Sequence, residues 1–137
     1  EEGKCVIQYP KKINCEYDNF KKKLIVSNGK SLVIKNQNGR EYFRYLLNQT
    51  SLELILNKDL LLRKIGEMDG KVIDEKYYIF YLENNGNKIN IFFDKNNHNL
   101  VGWQTEDIYQ NLVITYIYNL VKNSKIDEKL FILPKTH

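Results

Sequence analysis

The stretch that most constrains the fold is Lys22 to Asn36, KKLIVSNGKSLVIKN. Two apolar runs rich in β-branched residues, Leu24-Ile25-Val26 and Leu32-Val33-Ile34, flank Ser27-Asn28-Gly29-Lys30. Asn-Gly between such runs is the strongest short-range hairpin signal, because both residues tolerate the positive φ of a type I′ turn. The pattern predicts two antiparallel strands with Asn28-Gly29 at the tip. A lone hairpin is marginal in water, so neighbouring strands must extend it.

The flanking sequence supplies them. Lys4 to Tyr9 alternates around Cys5, Ile7 and Tyr9, and Ile13, Cys15 and Tyr17 alternate again after Pro10-Lys11. Proline fixes φ and removes a donor, so it breaks the run into a second hairpin. Asp18-Asn19-Phe20 feeds that hairpin into the first. After the turn Asn36-Gln37-Asn38-Gly39, Arg40 to Leu46 carries Tyr42, Phe43 and Tyr45. The period then changes: Leu52, Ile55 and Leu56 have helical spacing. Thr50 or Ser51 can cap this helix, Glu53 suits the dipole of its first turn, and Asn57-Lys58-Asp59 ends it. One or two turns are too short to form a layer and read as a plug or lid.

Leu60-Leu61-Leu62 fits either helix or strand, and Gly66 to Gly70 reads as a loop. From Glu75 the meander resumes as Tyr77 to Leu82, Ile89 to Phe93, Leu100 to Thr105 and Tyr109 to Tyr118, with turns at Asn84 to Asn87 and Asp94 to Asn99. Leu130-Phe131-Ile132-Leu133 closes the chain before Pro134. Regular strands with polar turns predict a mainly β fold. The expected form is a single domain over 1–137: a curved antiparallel sheet forming an incomplete open barrel, with one short helix as lid or plug over an apolar concave face.

Several strands are apolar on both sides, notably 77–82, 89–93 and 113–118. A sheet with one wet face should alternate cleanly. Two explanations stand: helices or loops cover the outer face, or the concave face is an apolar hollow while tyrosines line the convex one with wet hydroxyls.

Composition narrows the function classes. With 42% hydrophobic and 28% charged residues among 137, the chain can bury a core and is not disordered. The net charge of +4 comes from lysine, with only Arg40, Arg44 and Arg63 as arginines. Nucleic-acid binders concentrate charge on one face and mix in arginine, so no nucleic-acid partner is expected, and Lys21-Lys22-Lys23 reads as a solvated edge. No apolar run approaches the ~18 residues of a membrane span. No signal peptide opens the chain, which begins Glu1-Glu2-Gly3.

Chemistry-bearing groups are sparse. The histidines, His98 in a turn and His137 at the end, lie near no cysteine or acidic pair at ligand spacing, so no metal is expected. There is no glycine-rich phosphate loop and no Gly-x-Ser-x-Gly elbow. Glu106-Asp107 reads as a capped turn and Trp103 as core packing. No catalytic residue and no cofactor is assigned, and the chain is read as a non-enzyme. Cys5 and Cys15 share one alternating set in adjacent strands, at a separation a disulfide can accept. A disulfide, implying an oxidising compartment, and two buried free thiols both fit. A nucleophilic thiol would lack a nearby histidine.

The run Gly3 to Tyr17, GKCVIQYPKKINCEY, resembles the strand pair of LolA-type outer-membrane lipoprotein carriers, in which a glycine opens a strand, Arg-Pro makes the turn and a Trp-Glu-Tyr-like end closes the next strand. Leu24 to Ile34, LIVSNGKSLVI, is similar to that family's "ivsDGk-lw-y" hairpin. Ile89 to Asp94, Leu100 to Trp103 with Asp107, and Ile126 to Phe131 follow its closing strands and "lF" terminus. The match covers nearly the whole chain; each piece is degenerate, and their order and spacing carry the specificity.

The resemblance implies an open antiparallel barrel whose apolar side is covered by helices, and a periplasmic carrier that shelters the acyl chains of lipoproteins between inner and outer membranes. It implies acylated lipoproteins as cargo, and an inner-membrane release complex and an outer-membrane receptor as partners. Family members usually begin with a helix and a strand before the Gly3 position, so the chain is read as trimmed at its amino end; exposed apolar surface would then favour strand exchange or a hydrophobic homo-oligomer. The cavity lining expected on this reading is Ile7, Ile13, Val26, Leu32, Phe43, Leu52, Ile55, Ile79, Ile91, Phe93, Ile114 and Tyr116, with a one-residue register error inverting any strand's assignment. Two departures stand out. The family arginine that helps hold the lid closed falls on Tyr9, and the aromatic positions of the first strand pair fall on Cys5 and Cys15. A second reading of the same scaffold is a lipid- or lipoprotein-sensing regulatory domain, and a third an enzyme of small apolar substrates.

Overall fold

The computed structural model describes residues 2–57, 59–61, 63, 71–73, 75–84, 86–106, 112–118, 121 and 125–136. The chain divides into two units: residues 1–58 with 125–137, and residues 59–124. The fold is mainly β and antiparallel. Each unit is built on a five-stranded meander with two edge strands, so neither sheet closes into a barrel.

In the first unit the strands are β1 (Gly3–Gln8), β2 (Lys12–Tyr17), β3 (Lys23–Asn28), β4 (Ser31–Asn36) and β5 (Tyr42–Leu46), paired in chain order. Because side chains alternate across a strand, the register assigns them to faces. On one face Cys5, Cys15, Ile25, Ile34 and Phe43 form one cross-strand row, and Ile7, Ile13, Ser27, Leu32 and Tyr45 the next. On the other, Val6, Asn14, Val26, Val33 and Arg44 form a row.

The two faces have different covers. A 3₁₀ turn (Leu47–Gln49) leads into α1 (Leu52–Leu56), and Leu47 and Leu56 join Ile13, Cys15 and Leu32 in one buried cluster, with Ile7, Tyr17, Ile25 and Leu52 packed around it. The opposite face meets the carboxy-terminal segment. There a 3₁₀ turn (Glu128–Phe131) is capped by Asp127, whose carboxylate accepts from the Lys129 amide at 3.0 Å. Asn14 Nδ2 donates to the Leu130 carbonyl at 2.7 Å, Tyr42 Oη to the Pro134 carbonyl at 3.0 Å, and Lys35 Nζ to the Lys135 carbonyl at 2.8 Å. Phe131 is buried. The carboxy-terminal segment thus covers the second face of this sheet; the strands singled out from sequence as apolar on both sides, 77–82, 89–93 and 113–118, belong to the other unit.

The second unit pairs β6 (Lys71–Ile73), β7 (Tyr77–Asn84), β8 (Asn87–Asp94), β9 (Leu100–Glu106) and β10 (Leu112–Tyr116). Phe80, Ile91, Trp103 and Thr115 make one row, with Leu82 opposite Ile89 beside it. Leu82, Ile89, Ile91 and Trp103 are buried, so Trp103 is a core residue. The Phe80 and Phe93 rings meet edge to face at 5.9 Å. Gly102 is required where it sits: a Cβ there would run into the Thr115 carbonyl of β10. Gly3 at the start of β1 likewise abuts the Glu16 carbonyl.

Several local expectations are corrected. The β3–β4 tip is not type I′, since Gly29 has a positive φ of 103° but Asn28 does not. Instead the Asn28 side chain accepts from the Lys30 and Ser31 amides at 2.9 and 3.0 Å, an Asx-type turn that needs one left-handed residue only. Ser51 occupies the N-cap of α1 without a side-chain cap bond, while Thr50 Oγ1 donates back to the Leu47 carbonyl. Residues 59–61 and 63 are helical, which resolves part of the leucine run, and β6 was not foreseen. Of the ambiguous or polar positions read from sequence, Leu62, Gly66, Gly70, Asp107, Tyr109 and His137 lie outside the described residues.

Candidate functional site

The residues expected to line an apolar site fall into several groups. Ile7, Ile13 and Leu32 share one face of the first sheet, and Leu52 of α1 packs on them. Phe43 lies on that same face at the β5 edge and is half exposed, as is its neighbour Tyr45. Ile55 is wholly buried within α1. Val26, also buried, belongs to the opposite face, in the row with Asn14 and Val33. In the second unit Ile91 and Phe93 share a face with Trp103 and Phe80, whereas Ile79, Ile114 and Tyr116 point to the other side, where Ile114 and Tyr116 are exposed. The twelve residues therefore do not form one wall.

The arrangement of greatest interest is the α1-covered face. Cys5 and Cys15 are directly opposed and joined by a disulfide, so the wall at that end is sulfur where the family resemblance implies aromatic rings. The centre of the wall is held shut by Leu47, Leu52 and Leu56, and towards β5 it opens onto Phe43 and Tyr45. The cover itself is slight: α1 has five residues and ends on an Asn57 amide donating to the Glu53 carbonyl at 2.8 Å.

Two further contacts hold α1, and both come from Lys11. Its amide donates to the Leu56 carbonyl at 2.7 Å, and its ammonium sits 3.9 Å from a Glu53 carboxylate oxygen. Lys11 has a left-handed φ of 68°. Its own carbonyl accepts from the buried Ser27 hydroxyl at 2.8 Å, which ties the turn to the hairpin tip. Sequence named Lys11 only as part of the Pro10-Lys11 break and Glu53 only as a favourable first-turn charge; neither was assigned to the site, because a lysine after a proline turn and a glutamate in a first helical turn carry no periodic signal. A shallow open depression lies beside them, lined by Lys11, Gly29, Lys30, Leu46, Leu47, Asn48 and Glu53.

Among the described residues no three His, Cys, Asp or Glu side chains cluster as a metal site. His98 is in a turn and stacks on Tyr78 at 6.3 Å. No described helix is long and apolar enough to cross a membrane.

The family model for the outer membrane lipoprotein carrier protein LolA matches residues 1–134. The chain belongs to the LolA family. Comparison with the curated proteins returned no significant match. Membership gives the chain the general class of lipoprotein carrier. It also sharpens one departure noted above. Tyr9 stands where the resemblance implies an arginine, and partial burial raises its hydroxyl pKa above the ordinary value, so the ring is neutral at physiological pH. Lys11, two residues on, brings a cation to within 3.9 Å of Glu53 on α1.

Proposed function

We propose that this LolA-family protein is a periplasmic carrier that shelters the acyl chains of lipoproteins against the face of its first sheet now covered by α1. One observation carries the reading: a wall of Ile7, Ile13, Cys15 and Leu32 is closed mainly by three leucines on two short helical turns. The energetics favour exchange of cover. Lifting α1 uncovers the fully buried Leu54, Ile55 and Leu56, a cost of about 5–9 kcal/mol at ~1.5–3 kcal/mol per side chain. An acyl chain of about fifteen methylenes returns ~0.8 kcal/mol for each one buried. A chain buried over most of its length can therefore replace the helix, and the site can reclose when the chain leaves. Cargo would pass from an inner-membrane release complex to an outer-membrane receptor. The disulfide suits such an oxidising compartment.

The test is titration of the protein with a fluorescent palmitoyl probe and with a palmitoylated lipopeptide. Phe43→Glu places a charge at the open β5 end of the wall, on a half-exposed side chain that the fold does not need. It is expected to weaken binding about tenfold or more, the cost of removing one aromatic contact and setting a carboxylate against a methylene chain. Glu substitution of Leu112, an exposed residue of the second unit, should leave binding unchanged. Failure of both ligands to bind the unaltered protein would overturn the carrier reading.

A further inference from the structure

Phe20, at the tip between β2 and β3, is 90% exposed, the highest value among the described large hydrophobic residues. It is followed by Lys21, Lys22 and Lys23. The tip is built, not loose. The Lys22 amide donates to the Asn19 carbonyl at 3.1 Å and the Lys23 amide to Asn19 Oδ1 at 3.0 Å. The neighbouring tip between β4 and β5 braces it: Gln37 and Asn38 amides donate to the Lys22 and Lys21 carbonyls at 3.1 and 2.9 Å, and Asn38 Nδ2 to the Phe20 carbonyl at 3.1 Å. Lys22 is held at a φ of 54° by these bonds.

A scattered exposed aliphatic needs no explanation. A phenylalanine almost wholly in water on a braced tip, next in sequence to three lysines, is a different arrangement. Its ring adds nothing to the fold, and its entire apolar area is available to a second phase. Over the two paired tips, residues 18–23 and 36–41, Lys21, Lys22, Lys23 and Arg40 oppose only Asp18 and Glu41. Lys21 pairs with Glu41 at 3.5 Å and the Lys23 ammonium lies 4.5 Å from the centre of the Tyr17 ring, which leaves Lys22 and Arg40 as the tips' excess positive charge. An exposed aromatic ring on a tip with excess positive charge matches the boundary of a bilayer with anionic headgroups, where the ring enters the acyl edge and the ammonium groups stay with the phosphates.

We propose that the Phe20-Lys21-Lys22-Lys23 tip is a docking point by which the protein rests on an anionic membrane surface. The proposal deepens the carrier reading, since a carrier must meet the membrane it serves, but it stands on the tip alone.

The test is co-sedimentation with vesicles of phosphatidylethanolamine and phosphatidylglycerol, beside vesicles of phosphatidylcholine alone. The protein should partition onto the anionic vesicles and release as salt rises and the Debye length shrinks. Phe20→Ser should weaken partition about tenfold, and Lys22→Gln about fivefold, with circular dichroism and palmitoyl-probe binding unchanged in both. Equal partition of Phe20→Ser and the unaltered protein, or equal binding to phosphatidylcholine, would overturn the proposal. So would sedimentation velocity showing self-association that Phe20→Ser abolishes, which would assign the tip to a second copy of the chain. Loss of probe binding with vesicle binding intact would count against the carrier reading and leave the tip standing.

Discussion

Cys5 and Cys15 face each other across the first strand pair, and their disulfide spans ten residues of sequence. A cross-link of that span removes about 3 kcal/mol of chain entropy from the unfolded state. The double variant Cys5→Ala with Cys15→Ala should therefore unfold in urea with a free energy lower by about 2–3 kcal/mol and with native circular dichroism. Cys15 is the buried partner and Cys5 the exposed one, so the lost contacts are concentrated on β2. Phe43 belongs at this scale as well: one half-exposed ring at the β5 edge decides whether the apolar wall has an open end. Lys11 shows how a single backbone position can carry a task its side-chain type does not advertise. It supplies both an amide and an ammonium to α1 from a left-handed turn.

At the scale of elements, the carboxy-terminal segment acts as a strap over the face of the first sheet opposite α1. Its outer end is held by Glu128, whose carboxylate accepts from Gln8 Nε2 at 2.8 Å and lies 3.4 Å from Lys12 Nζ. The Gln8 hydrogen bond first, and the Lys12 hydrogen bond and charge after it, hold the Glu128 carboxyl below its ordinary pKa, against some desolvation and the charge of Asp127. A carboxylate depressed in the folded state stabilises that state fully above its unfolded value, about 4.3. That contribution is lost as pH falls from there through the lower folded value. Limited proteolysis of the 125–136 segment should accordingly speed up below about pH 4 in the unaltered protein. Glu128→Gln should show faster cleavage already at neutral pH and a flatter response to acid. Elements were also the scale at which sequence was most legible. Alternation around Cys5, Ile13 and Leu32 predicted the five strands of the first unit, and the helical spacing of Leu52, Ile55 and Leu56 predicted α1, with bounds close to those observed, because each buries an apolar row. It failed at β6, three residues with no room to display a period, and gave no conformation to Leu130-Phe131-Ile132-Leu133, where Glu128–Phe131 form a 3₁₀ turn inserting Phe131. Val26 was assigned to the wall of Ile13 and Leu32, but register puts it on the strap side. A run of three β-branched or leucine side chains gives no phase from which to choose a face.

For the molecule as a whole, order and spacing of weak motifs carried more than any single one, and the LolA family model accordingly matches residues 1–134. What sequence could not supply was the state of the apolar wall. Composition and alternation say that Ile7, Ile13 and Leu32 need cover; they do not say that Leu47, Leu52 and Leu56 provide it, since those leucines pair with the wall only through the chain reversal between β5 and α1. The central claim is that acyl cargo and α1 compete for this wall. Hydrogen–deuterium exchange with and without a palmitoylated lipopeptide tests it most directly. The amides of Lys11 and Asn57, bonded to the Leu56 and Glu53 carbonyls, should exchange faster in the complex as α1 lifts, while β2 to β4 keep their protection. A lipopeptide that binds while Lys11 and Asn57 stay as protected as in the free protein would contradict it.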